Sequence, residues 1–326
     1  MAPRPTIIDV ATHAGVSKSL VSLALRDAPG VGAATRERIL RVADELGYRS
    51  NTLAQGLRQR RSTLLGVVVS SLDNPYHTQV VESVEQAAQA DGLSVLLAHG
   101  ARDQGRLADR MNSLLDLNVA GLIVVSSWAD PGTLQSAARR APVIMVGRSL
   151  EPVAGIDSVN NDDELGAALV VRHLVAAGHE RIAHLTSSRR PAGLARERGY
   201  RTAMAEHGLE AYTRVLRRHP GEAATGLLRE ATAEGSTAVF ARNDVEAFDV
   251  LDHAWDHGLD VPDDLAVVGY DDSALALRAR PRLTSVHQPR ERMGELAAEL
   301  LRERLGGRSE DRHEVLRPRL VPRASG

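Results

Sequence analysis

Charged and aromatic side chains recur where apolar segments of this chain end, and they could hold a small polar molecule between them. Arg196, in the run Arg-Glu-Arg-Gly-Tyr, and Asp271, in Gly-Tyr-Asp-Asp, could grip hydroxyl groups or a charged group from opposite sides. Tyr76 or Trp128 could stack on an apolar face of the same molecule. Arginines after strands also form structural salt bridges, so that alternative stays open for each. The predicted ligand-binding residues are Asp73, Tyr76, Ser127, Trp128, Arg148, Arg190, Arg196, Asn243 and Asp271.

No residue set in the sequence demands catalysis or a metal. The chain has no cysteine, which excludes thiolate nucleophiles and thiolate metal sites. His253 and His257 have the spacing of two ligands on a helix, but without the intervening glutamate a surface helix is the better interpretation. Gly30-Val-Gly32 lacks the third glycine of a dinucleotide loop, and neither a phosphate loop nor a Gly-x-Ser-x-Gly elbow occurs. We therefore expect a protein that is not an enzyme and needs no cofactor.

From residue 64 onward, apolar strands alternate with amphipathic helices, which predicts an α/β fold with doubly wound parallel sheets. The alternation runs to residue 146 and restarts after Asp157–Asn161, so two lobes are expected. We expect the chain to return to the first lobe through Leu283–Val286, with the helix Arg290–Leu305 and the tail Glu314–Val321 in that lobe. The lobes then comprise about residues 63–160 with 288–326, and about 161–287. Ligands of such sheets bind at the carboxyl ends of the strands, here in the cleft between lobes.

The first fifty residues have a different, all-helical pattern. Thr6 followed three residues later by Asp9 is a close variant of the capping box and predicts a helix to His13. Ser17 can cap a second helix, Lys18–Arg26, after a glycine-containing turn, and a third is predicted over Thr35–Leu46, ending at Gly47. Two short helices joined by such a turn form a helix-turn-helix.

Charge is distributed unevenly between this head and the rest. Residues 1–62 contain ten Arg or Lys and five acids, a net of +5, so the remainder is −2 − 5 = −7. A basic head fits a nucleic-acid backbone better than a membrane surface, although from charge alone a solvated charged face is the better interpretation. In a helix-turn-helix the second helix enters the major groove by its N-terminal end, which makes Lys18 and Ser19 candidate base readers, with Leu23 one turn further. A lysine that touches only phosphate remains the alternative.

These residues resemble the LacI/GalR family of bacterial transcription regulators. The matching runs are Thr6–Ala11, Gly15–Ser17, Val21–Ser22, Thr35–Ile39, Glu45–Tyr48 and Asn51–Leu57. The resemblance implies a periplasmic-binding-protein-like clamshell across the body, and effector contacts for Arg196 and Asp271. It also implies that Leu23 stands where arginine is frequent, and Ser50 where proline is usual. The predicted DNA-binding residues are Thr6, Ser17, Lys18, Ser19, Ser22, Leu23, Tyr48, Asn51, Ala54, Leu57 and Arg58.

The segment 51–62 is interpreted as a hinge between a head of residues 1–50 and a body of residues 63–326. A helix of about eight residues begun at Asn51 is marginal in water, and Gly56 costs it roughly 1 kcal/mol more. The resemblance implies that two such helices, one from each subunit of a homodimer, pack in the minor groove, where Leu57 wedges between base pairs.

Three classes of protein fit these patterns to different degrees. A repressor of pseudo-palindromic operator DNA, controlled by a sugar or related metabolite, accounts for head, hinge and cleft together. A solute-binding protein with the same body would require export, and we find neither a signal peptide nor a membrane span at the sequence level. An α/β sugar enzyme would need a nucleophile or base in the cleft. We therefore expect a cytoplasmic regulator without membrane contact.

Overall fold

A computed structural model describes residues 5–48, 62–149, 151–219 and 222–326. The chain divides into two compact units, residues 1–62 and 63–326. The predicted hinge contacts Asn51, Ala54, Leu57 and Arg58 lie outside the described residues.

The head contains three helices, α1 (Ile7–Ala14), α2 (Lys18–Leu25) and α3 (Ala33–Glu45). The capping box of α1 is confirmed: the Asp9 amide donates to Thr6 Oγ1, and the Thr6 amide donates to Asp9 Oδ2 at 2.7 Å. Ser17 caps α2, its hydroxyl accepting from the Leu20 amide at 3.2 Å. Gly47 follows α3 at φ +65, a conformation that favours glycine.

The core of the head is narrower than the apolar pattern indicates. Val21, Ala24, Ile39 and Ala43 are buried, together with residues of α1. On α3 the apolar residues Ile39, Leu40, Ala43 and Leu46 predict one packed side, but Leu40 is 46% exposed. The buried residues of α3 are Ile39 and Ala43, so the helix packs along a narrow stripe.

Residues 63–326 form two six-stranded sheets with helices around them. The strands are β1 (Leu64–Val69), β2 (Ser94–His99), β3 (Gly121–Val125), β4 (Val143–Val146), β5 (Asp157–Asn161), β6 (Ile182–Thr186), β7 (Arg214–Arg217), β8 (Ala238–Ala241), β9 (Ala266–Asp271), β10 (Thr284–His287), β11 (His313–Leu316) and β12 (Arg319–Val321). The helices are α4 (Pro75–Ala90), α5 (Gln104–Asp116), α6 (Pro131–Ala138), α7 (Asp163–Ala176), α8 (Pro191–Glu206), α9 (Thr225–Ala233), α10 (Asp244–Asp256), α11 (Ala274–Arg278) and α12 (Arg290–Leu305), with a short 3₁₀ turn at Glu210–Tyr212.

The two sheets have the same layout. The first has the order β11-β5-β4-β3-β1-β2 and the second β12-β10-β9-β8-β6-β7. All pairs are parallel except β10 with β12. The interior strands β1, β3, β4, β8 and β9 are buried almost throughout, as expected for sheets covered on both faces.

The end of the chain departs from the prediction. Leu283–Val286 does not return to the first lobe, because β10 pairs with β9 in the second sheet. Only α12 and β11 return; β12 crosses again and pairs antiparallel with β10, so assigning residues 319–326 to the first lobe is wrong. The last residues are held by the Ser325 hydroxyl, which accepts from the Thr284 amide at 2.8 Å and donates to the Val267 carbonyl at 2.6 Å. The chain therefore crosses between the lobes three times.

The apolar pattern of the sequence does not predict β5 as a strand, because its residues are mostly polar. It lies between β4 and β11, and Asp157 is completely buried there. Burial alone would raise the pKa of Asp157, but hydrogen bonds from Arg304 and Arg308 outweigh it and lower the pKa to about 2. These ion pairs attach α12 to the first sheet, with an Arg304 Nη2 to Asp157 Oδ1 distance of 2.7 Å. None of the described helices is long and apolar enough to span a bilayer.

Candidate ligand cavity and nucleic-acid interface

A cavity of about 130 Å³ lies between the two lobes, where the strands of both sheets end. It brings together eight of the nine residues predicted to bind ligand. The eight are Tyr76, Ser127, Trp128, Arg148, Arg190, Arg196, Asn243 and Asp271. Asp73 stands outside and pairs with the lining residue Arg102 at 2.8 Å.

Arg196 is the most extensively held side chain of the cavity. Its Nε donates to Asp163 Oδ1 at 2.9 Å and its Nη1 to the Arg242 carbonyl at 2.7 Å. The guanidinium carbon lies 3.6 Å from the centre of the Tyr270 ring, and Nη1 is 3.9 Å from Asp271 Oδ1. Burial disfavours the charge, but Asp163, Tyr270 and Asp271 raise the pKa of Arg196. The arginine is therefore a fixed cation with one face and edge toward the cavity.

Asp271 is placed by both lobes. Its Oδ2 accepts from Asn74 Nδ2 at 3.0 Å, and its Oδ1 accepts from Gln288 Nε2 at 2.6 Å. Its φ of +104 is rare for a non-glycine residue, which indicates backbone strain maintained by these contacts. Burial raises the pKa of Asp271, and burial together with the charge of Asp271 raises the pKa of Asp244 behind it.

At the other end of the cavity, Arg190 and Trp128 meet across the lobes. The Arg190 guanidinium carbon lies 3.8 Å from the centre of the Trp128 ring. Trp128 follows β3 in the first lobe, where the Ser126 hydroxyl accepts from its amide at 2.9 Å, and Arg190 is the residue before α8 in the second. The contact is a cation–π pair that joins the two lobes at this end of the cavity.

Several lining residues were missed by the sequence interpretation. Asn161 is the last residue of β5 and Asp163 lies two residues beyond it. Because the sequence pattern does not predict this polar strand, it does not predict that these two residues lie at a strand end. Asn161 Nδ2 donates to the Tyr270 hydroxyl at 2.7 Å. Arg242 directly follows β8 and pairs with Glu246 at 2.8 Å. Arg242 could have been predicted from its position directly after a buried strand, because the same position predicts Asn243, the next residue.

The cavity also contains a serine and a histidine within hydrogen-bonding distance, with Ser70 Oγ 3.1 Å from His77 Nε2. Burial lowers the pKa of His77 to about 4, which makes it a poor base at neutral pH. Among the described residues no carboxylate hydrogen-bonds its Nδ1, unlike the orienting acid of a triad. The arrangement is therefore suited to binding a polar molecule.

In the head, the predicted base-reading positions lie together on α2. Ser17, Lys18 and Ser19 are exposed at its N-terminal end, while Ser22 and Leu23 are half-buried. Thr6 is exposed and Tyr48 half-buried. Arg36, which was not singled out, fixes the end of α2: it donates to the carbonyls of Ala24 at 3.0 Å and Ala28 at 2.6 Å. The positions predicted to read bases thus lie on a helix whose C-terminal end is held by Arg36.

A helix-turn-helix unit and a two-lobed α/β body with a polar cavity in one chain define a ligand-responsive DNA-binding regulator. Comparison with known proteins agrees. A model of bacterial regulatory proteins of the lacI family matches residues 6–51, and a periplasmic binding protein-like domain model matches residues 171–326. The chain belongs to the LacI family of transcriptional regulators, as the sequence resemblance indicated.

Similar proteins match along nearly the whole chain. Catabolite control protein A of Priestia megaterium is 30% identical over 302 residues, 91% of each chain. The transcriptional regulator GntR of Escherichia coli is 33% identical, covering 94% of this chain and 93% of the relative. Among solved structures, a Lac repressor dimer bound to operator and the anti-inducer ONPF has a TM-score of 0.85 at 27% identity, covering 99% of both chains. A complex of the transcriptional regulator CelR with cellobiose has a TM-score of 0.71 at 32% identity, covering 99% of this chain and 100% of that one.

Proposed function

We propose that this regulator is a homodimeric cytoplasmic repressor whose affinity for a pseudo-palindromic operator is set by a small polar metabolite in the cavity between the lobes. The observation that carries the proposal is that both walls of the cavity make direct contacts with each other. Asn74 bonds to Asp271, and Arg190 stacks on Trp128. A ligand placed among these groups contacts both lobes at once.

Control of DNA binding needs only that the metabolite bind one arrangement of the lobes better than another. The three crossings of the chain between the lobes are the natural points of bending, and the polar cavity supplies the differential contacts. Two similar structures support this type of ligand and assembly, one described as a cellobiose complex and one as a dimer on operator.

The switch is tested by operator affinity. Selection of duplexes by the full chain identifies the operator, and thermal-shift screening identifies ligands, because a bound ligand raises stability by mass action. Fluorescence anisotropy then measures operator affinity with and without saturating ligand. We expect a change of about 5- to 150-fold, the usual range for allosteric coupling. A ligand that binds the cavity and leaves operator affinity unchanged would refute the switch.

Lys18 tests DNA readout. We propose that Lys18 and Ser19 contact base edges, with Leu23 against an apolar group such as a thymine methyl. Lys18→Met should weaken operator binding about tenfold or more while nonspecific binding falls far less, since one good base contact is worth roughly 1 to 3 kcal/mol. Lys18→Arg, which keeps the charge, is the control. Equal losses on operator and random DNA would show that Lys18 contacts only phosphate.

A further inference from the structure

We propose that the metabolite carries an anionic group, a carboxylate or a phosphate, and that Arg148 and Arg190 bind it at the β3–β4 end of the cavity. This inference rests on the proposed function and narrows its ligand class. It follows from how the charges around the cavity are paired.

Three of the five arginines that line the cavity have carboxylate partners. Arg102 pairs with Asp73 at 2.8 Å, outside the cavity. Arg242 pairs with Glu246 at 2.8 Å, and that glutamate also lies 3.8 Å from Arg218. Arg196 is held between the carboxylates of Asp163 and Asp271. The charge of each of these three arginines is therefore compensated by a carboxylate of the protein itself.

Arg148 and Arg190 differ from these three. Throughout the described parts of the chain, neither guanidinium lies within salt-bridge distance of a carboxylate. The Arg190 guanidinium stacks on the Trp128 ring, and the side chains of Arg148 and Arg190 are both half-buried. An arginine without a counter-charge at the wall of a cavity is available for a negative group.

The two arginines are at the same corner. β3 and β4 are parallel neighbours with Val125 opposite Val146, so Trp128 and Arg148 follow their strands at the same end of the sheet. The loops lie close together, since a Cβ built on Gly147 would be 3.4 Å from the Ser126 carbonyl oxygen and 3.6 Å from Ser127 Oγ. Because Arg190 stacks on Trp128, its guanidinium lies at the same end of the cavity as Arg148, which follows β4.

The start of α8 gives further support. This 16-residue helix begins directly after Arg190, has no side-chain cap, and presents Ala192 and Gly193 to the cavity. The positive end of the helix dipole favours a negative group at that end. Guanidinium groups bind carboxylate and phosphate oxygens in pairs, and stacking on an indole orients Arg190 before the ligand arrives.

The test uses the two tryptophans of the chain. Trp255 is 86% exposed on α10, so Trp255→Phe leaves Trp128 as the single reporter in the cavity. Inorganic phosphate, gluconate, glucose 6-phosphate and glucose are titrated into this full-length variant at constant ionic strength while indole emission is followed. We expect phosphate and at least one of the two anionic sugars to change the emission, and glucose to bind at least tenfold more weakly than that sugar. A response to gluconate alone indicates a carboxylate, and one to glucose 6-phosphate alone a phosphate.

Two further variants locate the anion. Arg148→Gln, and separately Arg190→Gln, should weaken the binding of phosphate and of the preferred sugar anion by about ten- to hundredfold, as for the loss of a hydrogen bond to a charged group. Arg189→Gln, an exposed neighbour outside the cavity, should not. Arg190→Lys, which keeps charge but lacks the planar group, should fall between. Absence of an anion response, or equal affinity in Arg148→Gln and the parent, overturns the inference.

The outcomes separate this inference from the repressor proposal. If a neutral sugar binds tightly and changes operator affinity while no anion binds, the switch stands and the anion site is wrong. If anions bind through Arg148 and Arg190 but operator affinity never responds, the anion site stands and the switch is wrong.

Discussion

Asn74 donates from Nδ2 to Oδ2 of Asp271 across a distance of 3.0 Å, and this buried hydrogen bond joins the first lobe to the second. Asn74 follows β1, and its Oδ1 also accepts from the Tyr76 amide at 3.0 Å, which caps α4. Asp271 is the last residue of β9. The Asn74 side chain therefore both caps a helix of the first lobe and donates a hydrogen bond to Asp271 of the second.

Asn74→Asp should favour separation of the lobes. The new carboxylate can still cap α4, but it cannot donate to Asp271 and places a second negative charge beside it, which is costly at low local dielectric. We expect ligand affinity to fall by tenfold or more, with a small increase in the radius of gyration measured by X-ray scattering. Asn74→Ser keeps a capping oxygen without the charge and should lose less. Equal effects of the two variants would show that repulsion plays no part.

Arg196 should contribute far more to stability than its neighbour Arg198 on the same helix. Arg196 is 8% exposed between two buried carboxylates, whereas the Arg198 side chain is 55% exposed in its pair with Glu164. Arg196→Met leaves those carboxylates buried without their counter-charge, a change that typically costs about 3 to 5 kcal/mol. Arg198→Met should cost less than about 1 kcal/mol. Urea unfolding measures both, and similar losses would contradict the network described for Arg196.

These cavity residues show what a sequence can indicate. Asn243 and Asp271 lie at the ends of plainly apolar strands, and Arg196 lies in the helix that follows another, so their convergence is predictable from the rule that strand ends meet at one edge. Asn161 and Asp163 were not, because β5 is polar and is identified only by its pairing with β4 and β11. β12 has three residues, too few for a pattern, and its lobe is decided by long-range pairing with β10. The local sequence therefore predicts the apolar strands and the residues at their ends. The position of the polar and short strands in the sheets depends on non-local strand pairing.

His184 should make stability fall on acidification. It is completely buried, stacked on Phe240 with ring centres 4.5 Å apart, and burial lowers its pKa to about 4. Between about pH 6.5 and 4 the unfolded chain takes up a proton that the folded state does not, so this contribution to stability is lost as pH falls through that range. We expect about 2 kcal/mol from this residue between pH 7 and 5.

The comparison must be made between variants, because the raised pKa values of Asp244 and Asp271 act in the opposite direction as pH falls. His184→Gln should reduce the loss in unfolding free energy between pH 7 and 5, whatever its effect at pH 7. His207→Gln, an exposed substitution, should leave the slope unchanged. An unaltered slope in His184→Gln would show that His184 does not cause the pH dependence.

Gly199 and Gly226 should respond in opposite ways to alanine, although both lie in helices. A Cβ on Gly199 would lie 2.3 Å from the Glu164 carbonyl oxygen, so α7 and α8 would have to separate. Nothing lies within 4 Å of a Cβ on Gly226 in α9. Gly199→Ala should destabilise the body by about 1 to 3 kcal/mol through overpacking, while Gly226→Ala should stabilise it by up to about 1 kcal/mol.

Thermal and urea unfolding of the full chain check the pair. Because α8 carries Arg196, the displacement in Gly199→Ala should also weaken ligand binding, whereas Gly226→Ala should bind as the parent does. A Gly199→Ala protein of parental stability would mean that α7 and α8 are not packed at the distance described.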